Sequence, residues 1–178
     1  MSEPGRYAPA TAALSAITMP VTIIAAGDGI ERACATATLM YVSLLPTQVA
    51  VALNFGSRTC RLVRATGEFS ASILSTAQLE LASLAGRSGR GRDQFDGGWI
   101  PPLAPAPGFT APGVDGSIAV LWCRVAQEVV TGDHLLVVGT VEQRLGLDEA
   151  GVPLVRVGRR YMAVGAPLSE PAPEGYPI

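Results

Sequence analysis

The chain has 178 residues, the length of one compact core. Apolar residues make up 48% and charged residues only 16%, a surplus that predicts apolar surface covered by a second subunit. A net charge of −2 excludes a global field directed at nucleic acid or an acidic membrane, and the 13 basic residues are all arginine, which removes lysine Schiff-base and P-loop chemistry.

Residues 1–11 are small, polar and contain proline, and residues 166–178 are proline-rich, so both ends are expected to be loosely held around one domain spanning 12–165. Arg6 precedes the small apolar run Ala12–Ala26, but Thr18, Pro20 and the β-branched Val21-Thr22-Ile23-Ile24 predict a first strand rather than an export signal. The charge-free run Ala33–Leu53 raises a membrane span. Pro46 and Gln48, with β-branched residues on either side, predict instead two strands joined by a turn. Strands are expected over Val21–Ala26, Ala33–Leu39, Val49–Asn54, Glu68–Leu74, Ile118–Val130 and Leu135–Arg144, a mainly antiparallel barrel.

Two segments break the β pattern. Over Arg58–Ala65, Leu62 and Val63 face one way and Arg61 and Arg64 the other, which reads as a short helix between the N-cap candidate Ser57 and Gly67. Ala77–Ala85 reads as a second helix, stopped by Gly86. The glycine- and proline-rich stretch from Gly86 to Gly116 is a long connection of a kind that is commonly functional or interfacial. Thr131-Gly132-Asp133-His134 reads as the tip of a long hairpin.

Few constellations in this chain carry chemistry. Cys34, Cys60 and Cys123 lie too far apart for zinc or thioredoxin-type sites, which suggests a reduced, cytoplasmic protein, and the single histidine cannot build a two-imidazole metal site. No serine sits in a nucleophile-elbow pattern for His134 to serve. Gly86-Arg87-Ser88-Gly89-Arg90-Gly91 follows a helix rather than a strand, so it is no dinucleotide fingerprint. Its guanidiniums, with Arg92, suit either a phosphate clamp or a solvated loop. A better anion site is Asn54-Phe55-Gly56-Ser57-Arg58-Thr59, where a strand ends and a helix begins: first-turn N–H groups, two hydroxyls and Arg58 suit a phosphate dianion. The plain alternative is that Ser57 only caps the helix and Asn54 only ends the strand. His134 is open in the same way, as a solvated turn histidine or a functional one.

Taken in order, these segments resemble the flavin reductase-like family. Gly116-Ser117-Ile118-Ala119-Val120-Leu121-Trp122-Cys123-Arg124-Val125, then Gly132-Asp133-His134 and Val137-Val138-Gly139-Thr140-Val141, is similar to the family's strand, Gly-Asp-His turn and returning strand. Val42-Ser43-Leu44-Leu45-Pro46, the strand to Asn54 and Ser57-Arg58-Thr59 are similar to its flavin-binding stretch. Asp93-Gln94-Phe95 resembles its Asp-Lys/Arg-Phe element, and Gly158-Arg159-Arg160-Tyr161 its terminal Arg-x-Tyr strand.

The resemblance implies a mainly β fold with short helices, an FMN-binding split β-barrel of antiparallel Greek-key strands. It also implies a homodimer that moves a hydride from NADH or NADPH to FMN or FAD, with a partner monooxygenase as a candidate recipient of the reduced flavin. Thr36, Ala37, Thr38 and Leu39 would line the isoalloxazine. Asn54, Phe55, Gly56, Ser57, Arg58 and Thr59 would hold the ribityl chain and phosphate, with Arg92 and Phe95 also at the cofactor. His134 would position the nicotinamide or its phosphates, Asp133 would fix the turn or orient the imidazole, and Tyr161 would lie near the flavin or nicotinamide. Three positions depart from the pattern: Ala37 where a hydroxyl residue is usual, Pro20 where glycine is common and Leu45 where aspartate is common. Three alternatives stay open: a flavin-binding or electron-transfer protein without catalysis, or a degenerate member binding something else; a related split-barrel oxidase acting on a pyridoxine phosphate or using a deazaflavin; and a ligand-free scaffold dimer.

Overall fold

The structure, a computed structural model, describes residues 13–86, 94–96, 98–146 and 151–167. A 3-10 turn at Leu14–Ala16 leads into β1 (Met19–Pro20), β2 (Thr22–Gly27), β3 (Arg32–Ala37), β4 (Leu39–Leu44) and β5 (Thr47–Asn54). Helix α1 (Arg58–Thr66), β6 (Glu68–Ile73), a 3-10 turn at Thr76–Gln78 and α2 (Leu79–Gly86) follow. After them come β7 (Pro102–Leu103), β8 (Gly113–Val114), the long pair β9 (Ala119–Thr131) and β10 (His134–Leu145), and finally β11 (Leu154–Val157) and β12 (Arg160–Ala163).

Seven strands form one antiparallel sheet in the order β3-β2-β6-β9-β10-β5-β4. Its two edge strands, β3 and β4, are separated in the chain by Thr38 alone. A one-residue link cannot span an open seven-stranded sheet, whose neighbouring strands lie about 4.8 Å apart, so the sheet is rolled until its margins meet. Helix α1 joins β5 to β6, which are not neighbours, and touches β2, β3, β5 and β6, so it closes one mouth of the barrel.

Alternation sorts the side chains. On β2, Ile24 and Ala26 enter the barrel core with Val51, Leu53, Phe69, Cys123, Leu135 and Val137, joined by Cys60, Leu62 and Val63 of α1. Ile23 and Ala25 point the other way, against Ala82 and Ala85 of α2 and Leu154. With both faces covered, β2 is buried at every position, which is why apolar residues fill both of its faces after Thr22. The segment between β7 and β8 straps a third cluster, Phe109, Val120 and Trp122, to the outside of β9, where the indole Nε1 donates to the Ala111 carbonyl at 2.9 Å.

α1 forms where expected: Ser57 Oγ accepts from the Cys60 N–H at 3.1 Å, and Gly67 ends the helix at φ 68°. The run Ala33–Leu53 contains three strands rather than two, because the chain turns at Thr38, a corner with no glycine or proline to announce it. Ala77–Ala85 is split into a 3-10 turn and α2, the former closed by a Ser75/Gln78 capping box. β11 and β12, which form a separate small sheet in the order β1-β11-β12, lie beyond the strands that periodicity marked. No helix among the described residues is long and apolar enough to cross a membrane.

Candidate functional site

The junction of β5 and α1 is built by side-chain-to-backbone bonds. Asn54 Oδ1 accepts from the Gly56 N–H at 3.1 Å, its carbonyl accepts from the Ser57 N–H at 3.0 Å, and the Phe55 N–H donates to the Asp133 carbonyl at 3.0 Å. These bonds turn the chain sharply enough for α1 to start beside the β9–β10 hairpin. The register of β5 with β10 sets Asn54 directly opposite His134. His134 is the first residue of β10, so the hairpin loop is only Gly132-Asp133, with Gly132 at φ 55°.

Asp133 Oδ1 lies 2.7 Å from His134 Nδ1, and that hydrogen bond holds the Asp133 carboxyl below the usual carboxylate range. An ionised carboxylate only accepts, so Nδ1 carries the proton and Nε2 is left as the ring nitrogen for a ligand.

A pocket of about 290 Å³ opens here, lined by Phe55, Gly56, Ser57, Arg58, Arg61 and Arg64. Three arginines recur every third residue along the outer face of α1, beside a helix N-terminus. Arg58 and Arg61 both bond Glu31, while Arg64 pairs with Glu128 at 3.3 Å and stands over the Phe55 ring at 5.5 Å. Sequence reasoning gave Arg58 a role and missed Arg61, Arg64 and Glu31. The three-residue arginine spacing was a usable signal for the first two, whereas Glu31 arrives from another hairpin and leaves no local trace.

The second group of expected residues sits at the Thr38 corner. Leu39 pairs with Val51 on β5, three residues before Asn54, so the corner and the α1 pocket are about 10 Å apart along the strand. Thr36 Oγ1 donates to the Ala82 carbonyl at 3.1 Å, Ala37 and Leu39 pack against the barrel core, and Thr38 is exposed. Tyr161 joins Thr36: its hydroxyl donates to the same Ala82 carbonyl at 3.3 Å, beside Gly86. Thr59 is 2% exposed and absent from the pocket lining, and Phe95 is 4% exposed within the α2 cluster, under Arg32. Arg92, with Asp93, Arg87 and Arg90, lies outside the described residues.

A phosphate-bearing flavin fits these residues. A capped helix start and lining arginines suit an anion, and small and apolar side chains stand at the corner about 10 Å along the strand. Thiol chemistry does not fit, because all three cysteines are buried and burial pushes the Cys123 thiol up to about 12. Among the described residues, no group of three His, Cys, Asp or Glu side chains is placed to hold a metal.

Comparison with known proteins agrees with this geometry. The family described as flavin reductase like domain matches residues 14–165. The reductase component of 4-hydroxyphenylacetate 3-monooxygenase from Thermus thermophilus is 34% identical over 151 residues, covering 84% of this chain and 91% of that protein. An NADH:riboflavin 5'-phosphate oxidoreductase of Streptomyces pristinaespiralis is 34% identical over 152 residues, covering 84% and 83%. The solved structure of an NADH:FAD oxidoreductase from Streptomyces globisporus C-1027 superposes with a TM-score of 0.81 at 23% identity, covering 93% of this chain and 98% of that one, a likeness of fold. A family match that takes in both the α1 pocket and the His134 hairpin settles the kinship: the chain belongs to the flavin reductase-like family.

Proposed function

We propose that this flavin reductase uses NADH or NADPH to reduce FMN or FAD held between the Thr38 corner and the α1 pocket, and passes reduced flavin to a partner monooxygenase. One observation carries the reading: the β5–β10 register sets the Asp133-oriented His134 beside Asn54, at the start of a capped, arginine-lined helix. The bound flavin and nicotinamide supply the hydride chemistry, and the protein supplies placement and electrostatics.

Each residue then has a physical task. Ser57 fixes the start of α1, so that its N–H groups and the arginine side chains face the phosphate. Thr38, exposed at the corner, offers its hydroxyl to the ring system, and Ala37 adds no second one. His134, with Nδ1 fixed by Asp133, presents Nε2 to the nicotinamide or its phosphates. Stacking two bound rings removes the entropy cost of a bimolecular encounter, worth several kcal/mol. Precise holding therefore outweighs proton transfer in this site.

The test is anaerobic mixing of protein, NADH and FMN, followed at the flavin band near about 450 nm. A reductase bleaches the band at catalytic protein levels, whereas a protein that only binds flavin leaves it intact. His134→Ala is expected to raise KM for the nicotinamide about tenfold or more while flavin Kd changes little. Equal effects on both ligands, or none, remove the assigned role.

A homodimer suits the surface. Met40, Tyr41, Val42, Leu44 and Leu45 of β4 and its turn are 43% to 95% exposed, a contiguous apolar strip on a barrel of modest size. Sedimentation equilibrium should return twice the 18.4 kDa chain mass, and Tyr41→Asp should shift the population toward monomer. A wild-type protein sedimenting as monomer at micromolar concentration contradicts this.

A further inference from the structure

Resting on the placement of the flavin phosphate at α1, we propose that Glu31 is a built-in competitor for that phosphate. Its carboxylate engages the guanidiniums a phosphate needs, which keeps flavin a readily released substrate rather than a fixed prosthetic group.

The β2–β3 turn exists in a form that delivers Glu31. Asp28 Oδ1 accepts from the N–H groups of Ile30 at 2.9 Å and Glu31 at 2.7 Å, the Asp28 N–H donates to the Glu31 carbonyl at 3.1 Å, and Gly29 takes φ 88°. This self-bonded turn projects the Glu31 side chain across to the outer face of α1. There Oε1 accepts from Arg58 Nε at 3.1 Å and Nη2 at 2.9 Å, and Arg61 Nη2 reaches Oε1 at 2.6 Å and Oε2 at 2.7 Å. Both arginines line the pocket that begins at Gly56 and Ser57.

A carboxylate and a phosphate offer guanidinium the same ligand, a pair of anionic oxygens. A phosphate bonding these N–H groups either takes them from Glu31 or accepts a like charge beside it, and each course lowers its affinity. The arrangement is poorly suited to stability alone: the side chains of Glu31, Arg58 and Arg61 are 33%, 32% and 58% exposed, where ion pairs contribute little. It is well suited to turnover. A reductase that hands flavin to another protein must release it each cycle, and a weaker phosphate hold acts on the dissociation rate.

The experiment compares FMN with riboflavin, which lacks the phosphate, by flavin fluorescence at low salt in wild type and Glu31→Gln. The variant should bind FMN about tenfold tighter, with slower release, while riboflavin affinity stays unchanged. Arg61→Gln should weaken FMN alone, and the melting temperature of Glu31→Gln should stay within about 2 °C of wild type. Weaker FMN binding by Glu31→Gln makes the carboxylate a scaffold for the arginines and overturns the proposal. So do an unchanged FMN affinity and an equal change for both flavins. A wild-type protein that takes up neither flavin removes the functional reading itself, and this inference with it.

Discussion

Replacing Gly139 with alanine is expected to destabilise the protein by about 3 kcal/mol, the upper part of the range for overpacking a dense core. Gly139 lies in mid-strand on the inward face of β10, between Val49 and Val125. A methyl group there would stand 2.6 Å from two Phe69 ring carbons and 2.9 Å from Cys123 Cβ. The ring has no room to retreat, since Phe69 and Cys123 are fully buried. β9 carries an irregularity at the same level, where the pairing shifts between Val138 and Gly139, so the backbone is already bent to seat the ring against bare Cα. Thermal unfolding should show a drop of about 10 °C. Phe69→Leu in the alanine background should restore part of it, and a Gly139→Ala protein as stable as wild type would mean that the ring does not rest there.

Glu68→Ala is the second large loss, also about 3 kcal/mol, the low end for breaking a buried ion pair because Arg124 can rehydrate. The carboxylate is the anchor of the strap between β7 and β8. Oε1 accepts from the N–H groups of Thr110 at 2.5 Å and Ala111 at 3.0 Å and lies 2.7 Å from Thr110 Oγ1, and Oε2 accepts from Arg124 Nη1 at 2.5 Å. Arg124 in turn covers the Phe109 ring at 4.3 Å and bonds the Gly108 carbonyl. Alanine leaves the Thr110 and Ala111 N–H groups without that acceptor next to a 3%-exposed site, while Glu68→Gln keeps one carbonyl oxygen and should lose distinctly less. Urea titration gives the magnitude. Limited proteolysis gives the location, since cleavage between Pro101 and Gly116 should appear well before the barrel unfolds.

Much of this architecture was legible in the sequence where local chemistry decides it. Ser57 and Gly67 bracket α1 because a hydroxyl acceptor and a left-handed glycine are the local requirements of a helix start and stop. The β-rich runs mark β2, β5, β6, β9 and β10 because these strands bury at least one face. β4 and the Thr38 corner were illegible for the opposite reason: what bends the chain there is closure of the barrel, a property of the whole sheet. β11 and β12 are short and bury mainly Leu154, too little for a period to emerge.

The site divides along the same line. Asn54, Ser57, Arg58 and His134 stood out as unusual residues at element boundaries, and the register brings them together. Tyr161 stands with Thr36 on the Ala82 carbonyl, because the small sheet carrying it packs on the α2 side. Glu31 and Glu68 matter through partners on other strands and loops, and only the folded chain names those partners.

The single residue between β3 and β4 also bears on how this sheet keeps its margins in place. Two unpaired strand margins would each offer a row of backbone donors and acceptors to any passing extended chain. β3 and β4 do not pair with each other, so Thr38 hides neither row; it pins the two margins to one another at a single corner. Loops added at the hairpin tips should be harmless, whereas a few glycines spliced in at this seam would let the cylinder gape and expose sticky borders to aggregation.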